Sequence, residues 1–470
     1  MSFFSGIGPK PGRIQVLVLI LVTLFSTTAM AETIRLTIDE AVKMAMDQSI
    51  DLKKSAIDLA TTQYSANNLW SEIFPSFSLS SGLTVFSTPL LTDPGFTYSN
   101  DTLSYNLNFG VSLTLNPSIA SSMKRIELAY RTQLLKYDDA RNQLEIQVIK
   151  YFLNLNTLKE NISLMEQNLR ISEQQYARNQ IAFKNGLISE LDLMNSNLST
   201  ETARYNLTTA QGTYQNALEA FLAILGIETG TDIIFSGTVE IAPINYDPEQ
   251  LILEYLPKRP DIINQRQTIE NLILSQNITT LGSRSPSLDL GTQWRGGSPS
   301  NNKQGLGAPF SDNVAGTITL RVPIDSWIPG TKSNQTVRSA NAEVEKARLD
   351  LQNTETQAKA QIRSLIINLR NTWSSIEIAR MRVELAQRTV DNTEKSFQNG
   401  GVEFQELENA RRDLSDAQQR LLQGEYNYQS MLLDLAAALN VDWRTMTNQQ
   451  NNELSRYSAD DGSGSTILRG

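Results

Sequence analysis

The chain has 470 residues, of which 40% are apolar, and its 41 basic and 50 acidic residues give a formal net charge of -9. This acidic balance, without a basic stripe, disfavours nucleic acid as a partner. The absence of Cys and His excludes a thiolate nucleophile, a His general base, a Cys/His zinc site and a lipid-modified Cys. It leaves only carboxylate-based catalysis or metal binding formally open.

The N-terminus has the pattern of a secretory signal peptide. Lys10 and Arg13 precede an apolar run from Ile14 to Phe25, and the small-residue motif Ala29-Met30-Ala31 follows it. About 12 apolar residues are too few for a membrane anchor, which needs about 20. We therefore predict that residues 1–31 are a signal peptide, cleaved after about Ala31, and that the mature protein leaves the cytoplasm.

A pair of amphipathic strands is predicted next, within residues 76–116. Apolar residues hold the odd positions from Leu103 to Leu115, and polar residues hold most of the even ones, a period of two that excludes a helix. The companion strand is predicted over Ser76–Phe86. The segment Ser87–Asn100 between the strands is rich in Pro, Gly, Ser and Asn, and we predict that it is a connecting loop.

A long helix is predicted from about Ile119 to Asn185. The turn at Asn185-Gly186 ends it, because glycine readily adopts the left-handed conformation of a helix C-cap. The apolar residues of the helix follow a 4-3-4-3-4 spacing, a heptad seam that favours left-handed coiled-coil packing. This seam consists of Leu144, Val148, Tyr151, Leu155, Leu158 and Ile162. At about 1.5 Å per residue the helix is about 100 Å long, which suits a rod, a solenoid or a tunnel wall.

The second half of the chain repeats the first. Phe183-Lys184-Asn185-Gly186 matches Phe397-Gln398-Asn399-Gly400 at an offset of 214 (397 − 183), whereas Gly110 matches Gly316 at an offset of 206 (316 − 110). Eight residues (214 − 206) are thus added after the second pair of strands. The repeated seam consists of Ala358, Ile362, Leu365, Leu369, Thr372 and Ile376.

The repeated strands are predicted within residues 286–323, with the loop Gly297–Asp312 between them. The repeated long helix is predicted from about Ser333 to Asn399. We therefore divide the chain into the signal peptide 1–31, a first repeat 32–227, a linker 228–247, a second repeat 248–441 and a tail 442–470 whose end is predicted to be disordered.

The strands predict a membrane barrel that one chain cannot complete. Ten-residue strands with one apolar face fit a membrane-spanning β-barrel, although one face of a β-sandwich is the alternative. Four strands cannot close a barrel, because the smallest have about eight, and an open edge leaves backbone groups unpaired in lipid. Each chain would then contribute four strands to a barrel shared by identical subunits, and three chains would supply twelve.

The chain resembles the TolC family of outer-membrane efflux and secretion ducts. The segment from Leu36 to Ala45 looks like the family's opening helix, and Lys258-Arg259-Pro260-Asp261-Ile262 looks like the segment that opens its second repeat. Together with the duplicated helix–hairpin–helix order, the resemblance covers nearly the whole mature chain. It implies a mainly α fold with a small β part. A homotrimer would combine an all-α coiled-coil barrel with a 12-stranded transmembrane β-barrel, and the linker and tail would form an equatorial girdle.

The resemblance also implies a function and partners. The protein would be the passive exit duct of a tripartite efflux pump or a type I secretion system, not an enzyme, with no catalytic residue, metal or cofactor. A proton-driven or ATP-driven inner-membrane pump would supply the energy, and lipid of the outer membrane would surround the barrel. A periplasmic adaptor protein would contact the turns at Gly186 and at Gly400 and Gly401.

Gate candidates follow from register with the family's gate segment. Glu406 and Asn409 fall at its two ring positions, which share one helix face because they are three residues apart. The family often has Asp at both, and it often has a basic or polar residue where this chain has Val402. A threefold axis would make three carboxylates of Glu406, and such a ring favours cations and raises carboxylate pKa by like-charge repulsion.

Four further polar residues lie near the two turns. Asp192 and Asn195 are the first-repeat counterparts of Glu406 and Asn409. We keep them as gate candidates, although contact with a partner at the tip surface is the stronger expectation. Glu403 and Glu408 are expected to be solvated helix residues.

Two rival functions stay open. A secreted structural or adhesive coiled-coil protein would have no trimeric barrel, and a carboxylate-based hydrolase acting on envelope glycans would need two carboxylates converging in a pocket. The two-sided strands disfavour the first rival, and no carboxylate spacing favours the second. The transported substrate, whether drug, metal ion or protein, is not specified by these patterns.

Overall fold

The computed structural model of the chain describes residues 34–92, 95–227, 233–236, 241–298 and 310–445, with the backbone alone described at residue 34 and at residues 85–103. The predicted signal peptide lies outside these residues, as do parts of the predicted linker and most of the predicted tail. In the described part of the chain, no helix combines the length and the apolar character needed to cross a membrane.

Both halves of the chain run through the same order of elements. The first contains β1 (Ile34–Thr37), α1 (Ile38–Gln48), α2 (Ile50–Asn67), β2 (Ser76–Thr92), β3 (Gly95–Leu115), α3 (Ile119–Lys184) and α4 (Glu190–Leu225). The second, preceded by β4 (Ile233–Ser236), contains α5 (Pro248–Tyr255), α6 (Pro260–Arg284), β5 (Ser287–Gly297), β6 (Ser311–Arg321), α7 (Lys332–Gln398) and α8 (Phe404–Leu439). The long helices have 66 and 67 residues, and the returning helices have 36 each. The predicted mainly α fold with a small β part is confirmed.

The long helices have the predicted bounds to within one residue, but one predicted loop is wrong. The segment Ser87–Asn100 does not connect the first two strands as a loop, because β2 and β3 continue through it as a paired ladder. A register shift between Phe86 and Thr88 accommodates the irregular sequence there. The predicted loop Gly297–Asp312 falls mostly outside the described residues.

The described residues pack as two compact units. The first unit draws on residues 34–49, 147–227, 233–236 and 385–426, and the second on residues 50–92, 95–146, 241–298, 310–384 and 427–445. The first unit holds both helix turns and the parallel pair of β1 with β4. The second unit holds the four-stranded sheet.

The predicted heptad seams form cores of the helical parts. In α3, Val148 and Leu155 are fully buried, and in α7, Ile362, Leu369 and Ile376 are fully buried. The remaining seam members are buried or half-buried. The seams therefore pack against other helices, as the coiled-coil prediction requires.

An aromatic cluster surrounds the parallel strand pair of the first unit. Phe152 of α3 and Phe221 of α4 are fully buried, and their rings lie 5.2 and 6.1 Å from the ring of Phe235 in β4. Rings at such distances stabilise a core beyond their buried area. No alternation pattern marks the strand pair in the sequence, because each strand has only four residues.

The segment that resembles the family's opening helix begins with a capping box. Glu40 N donates to Thr37 Oγ1 at 3.3 Å, and Thr37 N donates to Glu40 Oε2 at 2.9 Å. Hydrogen bonds from Thr37, first of all from its backbone N–H, hold the pKa of the Glu40 carboxyl below its ordinary value. One face of α1 then buries Ala41, Val42 and Ala45.

Arg259 is the cation that organises the second unit around the start of α6. Its side chain is 8% exposed, and it donates to the carbonyl of Ala438 at 3.1 Å, to Gln361 Oε1 at 3.0 Å and to Asp261 Oδ2 at 2.7 Å. It therefore joins the end of α8 to α7 and α6. Pro260 occupies the first position of α6, where a missing N–H leaves no bond unmade.

The carboxyl of Asp261 has a lowered pKa despite partial burial. Burial alone raises its pKa, but the hydrogen bonds and charge of Arg259 outweigh burial, and the N–H of Ile262 adds to them. A lowered pKa in the folded state means that this pair stabilises the protein at neutral pH. The stabilisation is lost as pH falls through the folded-state pKa.

We expect Arg259→Met to lower the free energy of unfolding by about 2–4 kcal/mol, because it removes the donor of four hydrogen bonds to three residues from a buried position. Arg363→Met is the matched control. Arg363 pairs with Glu249 at 2.7 Å, but both side chains are exposed, so its loss should cost less than about 1 kcal/mol.

Denaturant unfolding followed by circular dichroism measures both variants. The difference between Arg259→Met and the parent protein should shrink in acid, as Asp261 becomes protonated. Equal losses in the two variants at neutral pH would contradict the assignment.

Candidate functional site

The second unit presents a sheet with two free edges. Its four strands pair in the order β2-β3-β5-β6, and all neighbouring pairs are antiparallel. Strands β2 and β6 are therefore the edges. Residues directly opposite each other on neighbouring strands project from the same face, so the register defines two faces of the sheet.

One face of the sheet is apolar and bare. Its rows across the strands are Leu79–Phe109–Trp294–Val314, Phe77–Val111–Thr292–Gly316, Leu113–Leu290–Ile318 and Leu115–Leu288–Leu320. Ile318, the most exposed of these side chains, is 79% exposed. At the start of β2, the ring of Phe74 lies 4.9 Å from Trp70 and 5.9 Å from Phe77. We call these four rows the apolar face.

The opposite face is polar. Its rows include Ser76–Ser112–Gly291–Thr317, Ser80–Asn108–Arg295–Asn313 and Thr114–Asp289–Thr319. Cross-strand hydrogen bonds stabilise it: Ser76 Oγ and Ser112 Oγ lie 2.7 Å apart, and Thr114 Oγ1 donates to Asp289 Oδ1 at 2.7 Å. We call this the polar face. The sheet thus separates an apolar side from a water-compatible side.

Together, the bare apolar face and the free edges favour contact with lipid and with further strands. Contiguous apolar surface that remains exposed marks an interaction site. Alternation of apolar and polar residues along every strand is the pattern of membrane barrels. The second half of a β-sandwich would have to cover the apolar face, yet the apolar side chains of this face on β2 and β6 remain exposed in the described structure.

The first helix turn ends in a capping box that engages Asp192. Gly186 adopts a left-handed φ of 70°, and Ser189, the N-cap of α4, follows three residues later. Asp192 Oδ2 accepts from Ser189 Oγ at 2.6 Å and from Ser189 N at 3.2 Å. The carboxylate therefore caps the helix start, and Asn195 lies half-buried one turn further.

The second turn lacks this box and leaves Glu406 exposed. Gly400 has a φ of 73°, and Gly401 N donates to the carbonyl of Ser396 at 2.8 Å. Glu403 stands where the first repeat has Ser189. Within the part of the chain that the structure describes, the Glu406 carboxylate accepts no hydrogen bond.

Asn409 shares the exposed surface of Glu406 at the start of α8. Its Oδ1 accepts from Arg412 Nη2 at 2.8 Å and from Gln405 Nε2 at 3.3 Å. The structure thus brings the two predicted ring residues to the same helical turn. It places Asp192 and Asn195 at the corresponding turn of α4.

The expectation that Glu408 is solvated is wrong. Its side chain is 12% exposed and that of Arg411 is 15% exposed. Ser199 Oγ donates to Glu408 Oε2, Arg411 Nη1 lies 3.3 Å from Glu408 Oε1, and Arg411 Nη2 lies 3.6 Å from Glu394 Oε1. We call these four residues the charged clamp. It joins α4, α7 and α8 of the first unit.

Sequence reasoning missed the clamp because its burial depends on packing between the two repeats. The only local signal is the three-residue spacing of Glu408 and Arg411, which is typical of an exposed helix pair. Burial removes the hydration of both charges, so such a pair is stable only if its geometry compensates for that loss.

Among the described residues, no group of three or more acidic side chains is placed to hold a metal ion. Asp192 caps a helix and Glu408 forms an ion pair, whereas Glu406 does neither in the described structure.

The chain is similar to known proteins in sequence and in fold. The chain matches the outer membrane efflux protein family over residues 41–227 and 277–441. It is similar to outer membrane protein TolC of Escherichia coli (strain K12), with 23% identity over 441 residues, which cover 88% of this chain and 83% of that protein.

Two solved structures have a similar fold. One is a structure of CusC, a protein that forms a transmembrane channel. It has a TM-score of 0.69 and 16% identity, and the match covers 86% of this chain and 92% of that one. The Campylobacter jejuni CmeC outer membrane channel has a TM-score of 0.66 and 17% identity, with coverage of 88% and 89%. At these identities the likeness shows the fold alone.

We expect Glu408→Gln to destabilise the first unit by about 1–3 kcal/mol, because Arg411 then remains at a low-exposure position with only Glu394 to compensate it. Glu345→Gln is the matched control, since Glu345 also pairs with an arginine three residues on, Arg348, but at the surface. Hydrogen exchange of the first turns of α8 should accelerate in Glu408→Gln alone. Equal exchange in the two variants would contradict a structural role for the clamp.

Proposed function

Because this chain belongs to the outer membrane efflux protein family, whose members are channels and not enzymes, we propose that it is the exit duct of a tripartite efflux pump or a type I secretion system. The observation that carries the proposal is the four-stranded sheet with a bare apolar face, a polar face and two free edges. The apolar face would meet lipid of the outer membrane, and the polar face would line a water-filled lumen.

Closure of the free edges would require more than one chain, and the resemblance to the TolC family implies three. In lipid, the N–H and C=O groups of β2 and β6 must find backbone partners, because no water reaches them. If β6 of one subunit pairs with β2 of the next, a ring forms that leaves no edge. Three copies with four strands each give twelve strands, above the smallest membrane barrels of about eight.

The long helices would continue the duct into the periplasm, and the turns at their ends would meet the adaptor protein. Gly186, Gly400 and Gly401 form these turns, and exposed apolar side chains such as Leu187 lie beside them. A protein partner with apolar contact residues fits this surface. The adaptor would connect the duct to an inner-membrane pump driven by protons or by ATP.

The gate would lie at Glu406 and Asn409. Both are exposed at the start of α8, and neither caps a helix, whereas Asp192 is engaged by Ser189. This difference favours the second repeat as the source of the charged ring and leaves Asp192 and Asn195 as weaker gate candidates. Three Glu406 carboxylates around a narrow opening would attract cations and repel anions.

Export to the outer membrane is consistent with the signal peptide predicted over residues 1–31, cleaved after about Ala31. The chain has no Cys, so a lipid-modified Cys cannot anchor it. In the rival proposal, a secreted structural coiled-coil protein, the apolar face would be exposed to water.

A pair of arginine substitutions tests the barrel. Ile318→Arg places a charge on the apolar face and should destabilise insertion by about 2–4 kcal/mol if that face meets the middle of the bilayer. Thr319→Arg, the neighbouring residue on the polar face, should be tolerated. Outer-membrane yield and the detergent-solubilised mass, measured by light scattering, report insertion and trimer formation.

The secreted rival predicts the opposite pattern. It requires a monomer or coiled-coil oligomer that stays soluble without detergent, with equal effects of the two arginines. A detergent-free soluble parent protein would overturn the duct.

Glu406→Ala tests the gate in planar bilayers. We expect a higher single-channel conductance and about tenfold weaker block by Mg²⁺, equivalent to about 1.4 kcal/mol, because the carboxylate ring is removed. Glu403→Ala, an equally exposed Glu three residues earlier, is the control and should leave both quantities unchanged. Unaltered conductance and block in Glu406→Ala would remove Glu406 from the gate while leaving the channel assignment intact.

A further inference from the structure

The polar face of the sheet carries few charges. Its described side chains are mostly Ser, Thr, Asn and Gln, and its charged ones are Asp289, Arg295 and Arg321. Asp289 Oδ2 lies 3.8 Å from Arg321 Nε, so these two opposite charges compensate each other. Arg295 is the cation on the described polar face that has no carboxylate within ion-pair distance.

Neutral groups surround Arg295. Its Nη2 donates to Gln293 Oε1 at 2.8 Å, and its cross-strand neighbours are Asn108 and Asn313. The carboxylate in the adjoining row, Asp312, belongs by register to the apolar face, where it accepts from Trp294 Nε1 at 3.1 Å. The positive charge of Arg295 is therefore directed to the water side of the sheet without compensation.

The surface beyond Arg295 is open. A hollow of about 430 Å³ lies on this part of the sheet, lined by Arg295 and by amide and hydroxyl side chains that include Asn108 and Asn313. Asp312 also borders it, but its carboxylate accepts from Trp294 Nε1 and forms no ion pair with Arg295. The next row has glycines at Gly82 and Gly297. A Cβ at Gly297 would collide with the backbone carbonyl of Tyr105, so this row stays without a side chain there. The guanidinium consequently faces free space.

We propose that Arg295 determines ion specificity in the lumen, by forming a positive ring that favours anionic groups. The inference rests on the proposed trimeric duct. Twelve strands about 4.8 Å apart and tilted by about 40° form a barrel with a backbone radius of about 12 Å, and inward-pointing side chains make the lumen narrower. This radius is comparable to the Debye length of about 10 Å at 0.1 M salt, so the field of three guanidinium groups reaches the axis.

The ring would oppose the Glu406 carboxylates in sign. A substrate with an acidic group would be held back at Glu406 and attracted at Arg295, and a basic substrate would meet the reverse. The duct would then favour no single charge along its whole length. This division suits a channel that must release what it has admitted, since strong attraction throughout would retain the substrate.

The test is the K⁺/Cl⁻ permeability ratio of the full-length protein in planar bilayers under a KCl gradient. Arg295→Gln should raise the ratio at least about twofold near 0.1 M salt. The increase should be larger near 0.01 M, where the Debye length is about 30 Å. Arg295→Lys keeps the charge and should match the parent protein. Arg295→Glu should raise the ratio further than Arg295→Gln does.

Asn313→Ala is the control for a change of shape without a change of charge, and its ratio should equal that of the parent protein. Channels of Arg295→Gln with the parental ratio at both salt concentrations would overturn the inference and leave the duct standing. A parent protein that forms no channels would overturn the duct and this inference with it.

Discussion

Backbone groups at a free sheet edge cannot stay unpaired in lipid, and β2 and β6 each carry such an edge. The sheet is otherwise regular: the ladders of β3 with β5 and of β5 with β6 have a continuous register, its two faces are separated by polarity, and its polar face is hydrogen-bonded across strands. In the single chain, both faces of the sheet are therefore formed, but its two edge strands lack partners on their outer sides. In the proposed duct, assembly with identical copies would close these edges without new sequence, and a lumen would be the geometric result.

The two repeats differ where their returning helices, α4 and α8, begin. Both returning helices have 36 residues and follow a glycine with positive φ. In the first repeat Ser189 and Asp192 cap the helix, whereas Glu403 and Glu406 occupy these positions in the second. Replacement of the capping hydroxyl frees a carboxylate at the second tip. Two residues further along α8, Glu408 pairs with Arg411 in the charged clamp. Among the described residues, the turn of the second repeat therefore has an unpaired carboxylate, that of Glu406, close to a compensated one.

Much of this architecture is visible in the sequence, because period-two alternation and heptad spacing are local patterns that survive in any context. The strand positions from Leu103 to Leu115 and the seams of both long helices were predicted for that reason. The continued pairing through Ser87–Asn100 was not, since the composition of a segment does not reveal a partner strand that satisfies its backbone. The burial of Glu408 and the contacts of Arg259 with Ala438 and Gln361 were also missed. They depend on residues brought together from distant parts of the chain.

The matched lengths of the helices limit how such a chain can change over evolution. Inserting or deleting one residue within a helix rotates everything beyond it by about 100°, which would turn the buried seam of α3 or α7 towards water. Length variation is therefore confined to connections and termini. The eight residues that the second repeat adds follow this rule, because they lie between β6 and the heptad seam of α7, around the turn at Gly330. Relatives of this protein should differ in length at such junctions, while their helices keep the same number of turns.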